Sequence, residues 1–298
     1  MEMLTLSHVA RSFGEKQVLR DVTFSVPEHT VFGFVGQNGA GKTTAMKMIL
    51  GLLAADGGEI TVNGMPVCYG NTPTNRFVGY LPDVPEFYPF MTPAEYLRFC
   101  GEISGMPARE IKSRSEELLR LVGLEKEARR IKGFSRGMKQ RLGVAQALFC
   151  RPKLLICDEP TSALDPAGRK ELLDILTAAK EETTVLFSTH ILSDVEHICD
   201  EMAFLHEGKI ALEGSLDEIR KLRKASEVAV EVEREEDART LGQAFPFLII
   251  DGKRSFRLEE AGRLPEILHF IADRKYPVIR IERQEAALED LFMEVVGK

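Results

Sequence analysis

The segment Gly36-Gln37-Asn38-Gly39-Ala40-Gly41-Lys42-Thr43-Thr44 carries the clearest chemistry in the chain. It has the form G-x-x-x-x-G-K-[ST], in which glycines let the backbone close around phosphate oxygens with several N–H groups turned inward. Lys42 can reach the β- and γ-phosphates of a nucleoside triphosphate, and the Thr43 hydroxyl can ligate Mg²⁺. A second cluster ends the apolar run Leu154-Leu155-Ile156-Cys157-Asp158-Glu159. Ligands of open parallel sheets bind outside the carboxyl ends of strands. Asp158 is therefore placed to hold Mg²⁺, directly or through water. Glu159 points the other way and can polarise a water for attack on the γ-phosphate.

These residues need a sheet and helix ends to hold them. Val31-Phe32-Gly33-Phe34-Val35 reads as a buried strand, and the stretch from Lys42 to Leu52 as a helix whose positive dipole end faces the glycine-rich turn. Leu154–Cys157 and Thr183–Phe187 read as further buried strands, with a helix from Ala167 to Lys180 between them. Strands alternating with helices imply a mainly parallel sheet covered on both faces. The first thirty residues are β-rich. Thr92-Pro93-Ala94-Glu95 is a helix start, with a capping hydroxyl, a first-turn proline and an acid. Ile111, Leu118, Leu119, Leu121 and Val122 mark a second helix. A helical insertion into the α/β core is expected over about residues 84–132.

Past Leu222 the texture changes. Arg223-Lys224-Ala225-Ser226 reads as a linker. Residues 223–298 read as a small α+β appendage with strands at Val228–Val232, Leu248–Ile250 and Val278–Ile281, and helices at Pro265–Arg274 and Glu285–Val296.

Composition narrows the functional classes. The 298 residues carry 39 Lys+Arg against 46 Asp+Glu, a net charge of −7, which disfavours general nucleic-acid binding. The longest run free of polar residues is Met48–Ala55, far short of the roughly 20 residues of a membrane span. Met1-Glu2-Met3 leads into no basic-then-apolar stretch, so no secretory leader is expected. Cys68, Cys100, Cys150, Cys157 and Cys199 are scattered, and are expected to be reduced, mostly buried thiols of a cytosolic protein.

Phe134-Ser135-Arg136-Gly137-Met138-Lys139-Gln140-Arg141 lies upstream of the Asp158–Glu159 strand. It resembles the signature motif of the ATP-binding cassette (ABC) ATPases, usually Leu-Ser-Gly-Gly-Gln, with Ser135 and Gly137 matching and Phe134, Arg136 and Met138 departing. Phe13 stands where that family has its adenine-stacking aromatic. Ser162-Ala163-Leu164-Asp165 resembles the D-loop, and His190 the switch histidine. The resemblance runs over residues 1–222. The variants and the ending Ala287-Leu288-Glu289-Asp290-Leu291-Phe292 are similar to the drug- and antibiotic-exporter branch.

The resemblance implies an α/β P-loop NTPase of the ABC cassette type. It would have an N-terminal antiparallel β subdomain, the helical insertion and the C-terminal appendage. It implies an ATPase subunit using ATP and Mg²⁺, with Lys42, Glu159 and His190 catalytic, and Phe13, residues 36–44, Ser135, Gly137 and Asp165 holding nucleotide. Two copies would sandwich two ATP molecules head to tail. Because no span is evident, an integral-membrane permease must be a separate chain, and the subunit would sit in the cytoplasm at the inner face of the membrane. Phe87, Tyr88, Pro89 and Phe90 are candidates for that contact, or for packing within the insertion. The family's usual Gln after the strand Val78–Leu81 is replaced by Asp83, expected near Mg²⁺ or its water, or else a turn residue beside Pro82. A soluble ABC ATPase serving ribosomes, DNA or cofactor assembly is the alternative, although one cassette without coiled coils fits it less well. A catalytically dead module is disfavoured by the presence of Lys42, Asp158 and Glu159.

Overall fold

Three short runs, Val31–Val35, Leu154–Asp158 and Thr184–Thr189, are buried at every residue in the computed structural model. Strands covered on both faces require this. The structure describes residues 1–70, 73–222, 227–250, 252–258, 261–284, 288 and 291–292. The expected linker 223–226 and most of the expected last helix lie outside them.

In chain order the first unit, Met1–Leu216, begins with β1 (Glu2–Phe13), β2 (Lys16–Pro27), β3 (Val31–Val35), α1 (Lys42–Ile49), β4 (Gly57–Val62), β5 (Met65–Pro66) and β6 (Val78–Leu81). It continues through α2 (Pro93–Ile103), α3 (Ala108–Leu121), α4 (Arg136–Leu148), β7 (Leu154–Asp158), α5 (Pro166–Ala179), β8 (Thr184–Thr189), α6 (Leu192–Ile198), β9 (Glu201–His206) and β10 (Lys209–Ser215). The strands form one curled sheet in the order β5-β4-β1-β2-β10-β9-β3-β8-β7-β6. The β9-β3-β8-β7-β6 half is parallel, and the β5-β4-β1-β2 half antiparallel. This is the expected cassette architecture. Phe24 stacks on Phe32 and Phe34 (5.6 and 5.1 Å between ring centroids), tying the antiparallel half to β3.

α2 starts where its capping signal lies. Thr92 Oγ1 accepts from the Glu95 amide (3.3 Å), and the Thr92 amide donates to Glu95 Oε2 (2.8 Å). This reciprocal box satisfies two donors that a helix start leaves open. Residues 82–92 ahead of it are loop. Within that loop Phe87 packs edge-on against Tyr96 (5.0 Å), whereas Tyr88 and Phe90 are exposed.

The second unit, Asp217–Lys298, takes up most of α7 (Leu216–Leu222), then β11 (Glu227–Val232), α8 (Glu235–Ala244), β12 (Ile249–Ile250), β13 (Ser255–Leu258), α9 (Leu264–Asp273) and β14 (Val278–Gln284). Its antiparallel sheet runs β12-β13-β11-β14. Val228, Val230 and Val232 face a core with Leu241 of α8 and Ile267 and Ile271 of α9. All five cysteines are free, but only Cys157 and Cys199 are buried. Cys68 and Cys150 are exposed, and Cys100 is intermediate, contrary to the expectation of mostly buried thiols.

Candidate functional site

The phosphate loop is built by β3 ending and α1 beginning around three glycines. Gly41 adopts φ +113°, a left-handed conformation that L side chains resist, and so turns the chain into α1 with its first amides uncapped by any side chain. A side chain at Gly36 would place Cβ 2.7 Å from the Leu205 carbonyl oxygen, so only glycine lets the loop pass β9. The Gly36 amide donates to the Thr189 carbonyl (3.3 Å), joining the loop to the end of β8.

Strand register brings the remaining groups to the same edge. β8 lies between β3 and β7, with Val35 opposite Thr189 and Asp158 opposite Ser188. Lys42, 5% exposed, donates to the Gly36 carbonyl (2.6 Å) and the Gln37 carbonyl (3.2 Å), and its ammonium lies 3.0 Å from Glu159 Oε1. Glu159 Oε2 lies 2.7 Å from His190 Nδ1. An ionised carboxylate only accepts, so Nδ1 carries the proton of that contact. Lys42 at the start of α1, Glu159 just past β7 and His190 just past β8 thus form a continuous chain of contacts.

Asp158 and Glu159 diverge because the backbone leaves the strand at Glu159, whose φ is +48°. A non-glycine residue held there costs on the order of 1–3 kcal/mol, and such strain persists only where the surroundings impose it. Ser188 bridges the two residues at this turn. Its hydroxyl donates to Asp158 Oδ1 (2.8 Å) and accepts from the Glu159 amide (3.0 Å). Sequence reading missed Ser188, and its position two residues before His190 was the signal at hand. Tyr80 on β6 also faces this edge. Burial, then the nearby Asp158, pushes its hydroxyl up to about 12, so it stays neutral.

The signature-like segment lies on α4. Ser135 caps that helix, accepting from the Met138 amide (3.2 Å), and is exposed. Gly137 stands in open space: an added Cβ would meet only Leu164 Cδ2, at 3.9 Å. Asp165 caps α5 by accepting from the Gly168 amide (3.3 Å) and is exposed. Phe13, 48% exposed, has the Arg11 guanidinium 4.9 Å from its ring centre. Phe13, Ser135 and Asp165 are exposed, and Gly137 is partly exposed.

Asp83 lies in the loop just after β6, beside Pro82. Its Oδ1 accepts from Ser162 Oγ (2.5 Å) and pairs with Arg136 Nη2 (3.1 Å), while its carbonyl accepts from the Gln140 side chain.

The donors expected for Mg²⁺, the Thr43 hydroxyl and the buried Asp158 carboxylate, are oxygen groups, the chemistry that hard cation prefers. Thr43 follows Lys42 at the start of α1, and Asp158 ends the strand that register aligns with β8.

Comparison with known proteins places these features in a family. A model described as ABC transporter matches residues 19–162, and one described as ATP-binding protein DrrA1-3-like, C-terminal domain, matches residues 214–296. The uncharacterised ABC transporter ATP-binding protein YxlF of Bacillus subtilis (strain 168) is 36% identical over 298 residues, spanning 99% of both chains. The bacitracin transport ATP-binding protein BcrA of Bacillus licheniformis is 32% identical over 307 residues, covering 99% of this chain and 97% of that one. A solved structure of the ATP binding subunit of an ABC transporter aligns with a TM-score of 0.64 at 35% identity, covering 74% of this chain and 92% of the other.

Proposed function

We propose that this chain, which belongs to the ATP-binding proteins of ABC transporters and hydrolyses ATP as that family does, works as a head-to-tail homodimer driving export through a separate membrane permease. The observation that carries the catalytic part is the Lys42–Glu159–His190 chain of contacts, at 3.0 and 2.7 Å. It links the phosphate loop to a carboxylate base and a histidine.

In this reading the backbone amides of residues 36–44 cradle the triphosphate, and Phe13 stacks on the adenine. Thr43 and Asp158 would hold Mg²⁺, which supplies positive charge to the β- and γ-phosphates when bound. Asp83, whose carboxylate is engaged by Arg136 and Ser162, is not in this set. Lys42 exchanges its loop carbonyls and Glu159 for phosphate oxygens. That exchange frees Glu159 to accept a proton from the attacking water, with His190 holding the carboxylate in orientation. Ser135 and the first amides of α4 form a second anion site facing the γ-phosphate bound by the other copy, and Asp165 lies beside that junction.

Several features support the partner assignments. Among the described residues no helix is long and apolar enough to cross a membrane. The relatives include a bacitracin transport protein. Tyr88 and Phe90 leave aromatic surface open on the loop before α2, suited to a permease segment. The subunit would then lie in the cytoplasm at the inner face of the membrane.

Gly137→Asp tests the trans assembly. The open space at Gly137 lets the variant fold, so a single subunit should still bind ATP while turnover stops, because a charge now stands where the partner's phosphate docks. Normal turnover would rule out the assembly. Co-purification of the wild type with an integral membrane protein checks the transport role, and its absence would favour the soluble alternative.

A further inference from the structure

Two departures from the usual family pattern, Asp83 and Arg136, lie 53 positions apart in the chain and touch. Asp83 follows β6 at the entry to the helical insertion. Arg136 is the first residue of α4 and Gln140 lies one turn on, so both project from the same side of that helix. Arg136 Nη2 reaches Asp83 Oδ1 at 3.1 Å, and the buried Gln140 amide donates to the Asp83 carbonyl. The third contact comes from the other direction. Ser162 Oγ donates to the same Oδ1 at 2.5 Å, and Arg136 Nη2 also lies 3.4 Å from that hydroxyl. The Ser162 amide in turn donates to the Glu159 carbonyl (3.0 Å), in the turn that carries Glu159.

We propose that Asp83 is a positioning residue: it holds the serine-capped start of α4 to the loop that carries Glu159, through Arg136 on one side and Ser162 on the other. The inference rests on the homodimer reading in one respect. In such a dimer Glu159 acts on the ATP of its own chain and Ser135 faces the ATP of the partner. The Arg136–Asp83–Ser162 link therefore joins the element that cleaves one nucleotide to the element that closes over the other. It is a physical route by which occupation of one site is felt at the second. The pair is about half exposed on both sides (43% and 48%), so it contributes little to overall stability and is open to screening by salt.

The test is a double-mutant cycle on the full-length chain, with Asp83→Asn, Arg136→Gln and their combination, and Asp83→Glu as the charge-keeping control. ATPase rate, KM and Hill coefficient are read at low and high salt, along with nucleotide affinity and the Mg²⁺ concentration dependence. Each single change should lower kcat by about fivefold at low salt, the scale an exposed ion pair supports. Each should also move the Hill coefficient toward unity, with KM changing less than kcat. The combination should be no worse than either single change, Asp83→Glu should keep most of the rate, and the differences should shrink in high salt. Additive losses, or losses indifferent to salt, would overturn the proposal. So would an Asp83→Asn defect rescued by excess Mg²⁺ and not shared by Arg136→Gln, which would make Asp83 a metal neighbour. Failure of the dimer itself is read separately: Glu159→Gln would then stay monomeric with ATP, whereas a trapped dimer with an additive cycle condemns the link alone.

Discussion

Glu159→Gln is the substitution whose outcome the geometry constrains most. Both carboxylate oxygens are committed, Oε1 to Lys42 at 3.0 Å and Oε2 to His190 Nδ1 at 2.7 Å, in a pocket that leaves 5% of Lys42 and 15% of the Glu159 side chain exposed. Glutamine keeps the shape but replaces one acceptor by an NH₂ donor. Its oxygen turns to the Lys42 ammonium, which can only donate, and its NH₂ then faces His190 Nδ1. Nδ1 must become the acceptor, so the imidazole proton moves to Nε2. The charge-assisted bond to Lys42 weakens, lowering nucleotide-free stability by about 1–2 kcal/mol. Lys42 is then held less firmly away from phosphate, so ATP affinity should be equal or tighter. Removal of the base should slow hydrolysis by about 10²–10⁴-fold, equivalent to about 3–5 kcal/mol of barrier. Phosphate release at saturating MgATP, a fluorescent-nucleotide titration and a urea titration without nucleotide measure the rate, the affinity and the stability. A kcat within tenfold of wild type would refute the assignment of Glu159 as base.

Other perturbations probe the frame around it. Lys42→Ala removes the only cation contacting the loop carbonyls of Gly36 and Gln37 among the described residues and should raise the Kd for ATP by an order of magnitude or more; unchanged affinity would dismiss the phosphate cradle. Gly79→Ala would put Cβ 2.2 Å from the Ala147 carbonyl oxygen and 3.0 Å from Pro152 Cγ. It must displace α4 from β6, with a loss of about 1–3 kcal/mol or more in a urea titration; an unmoved midpoint would contradict that packing. Burial raises the Cys157 and Cys199 thiols well above their ordinary range, so they stay protonated at neutral and moderately alkaline pH. A disulfide reagent at pH 8 should therefore titrate Cys68 and Cys150 fast, Cys100 slowly, and Cys157 and Cys199 only after unfolding; a fast reaction at Cys157 would argue against its burial.

What could be read from the chain alone is what is encoded within a few consecutive residues. The phosphate loop is legible because its nine residues build it with their own amides. The start of α2 is legible because Thr92 and Glu95 cap each other, and β3, β7 and β8 because strands buried on both faces have to be apolar nearly throughout. Segment ends were less legible: the stretch read as a strand from Leu248 is only two residues long, Ile249–Ile250.

Strand order and register are set by long-range pairing, which no local pattern contains. They place β8 between the glycine loop and the acid-bearing strand, and so bring His190 to Glu159 across 31 residues and Ser188 to Asp158 across 30. The same pairing delivers Asp83 to Ser162 across 79 residues. From the sequence Asp83 could be taken as a neighbour of the metal, because a carboxylate is equally suited to a cation of either kind. Only the fold offers it a guanidinium, from Arg136 on α4, and a hydroxyl, from Ser162 in the loop after β7. The residue types thus determined which reactions the chain can support, and the tertiary fold decided which of those groups meet.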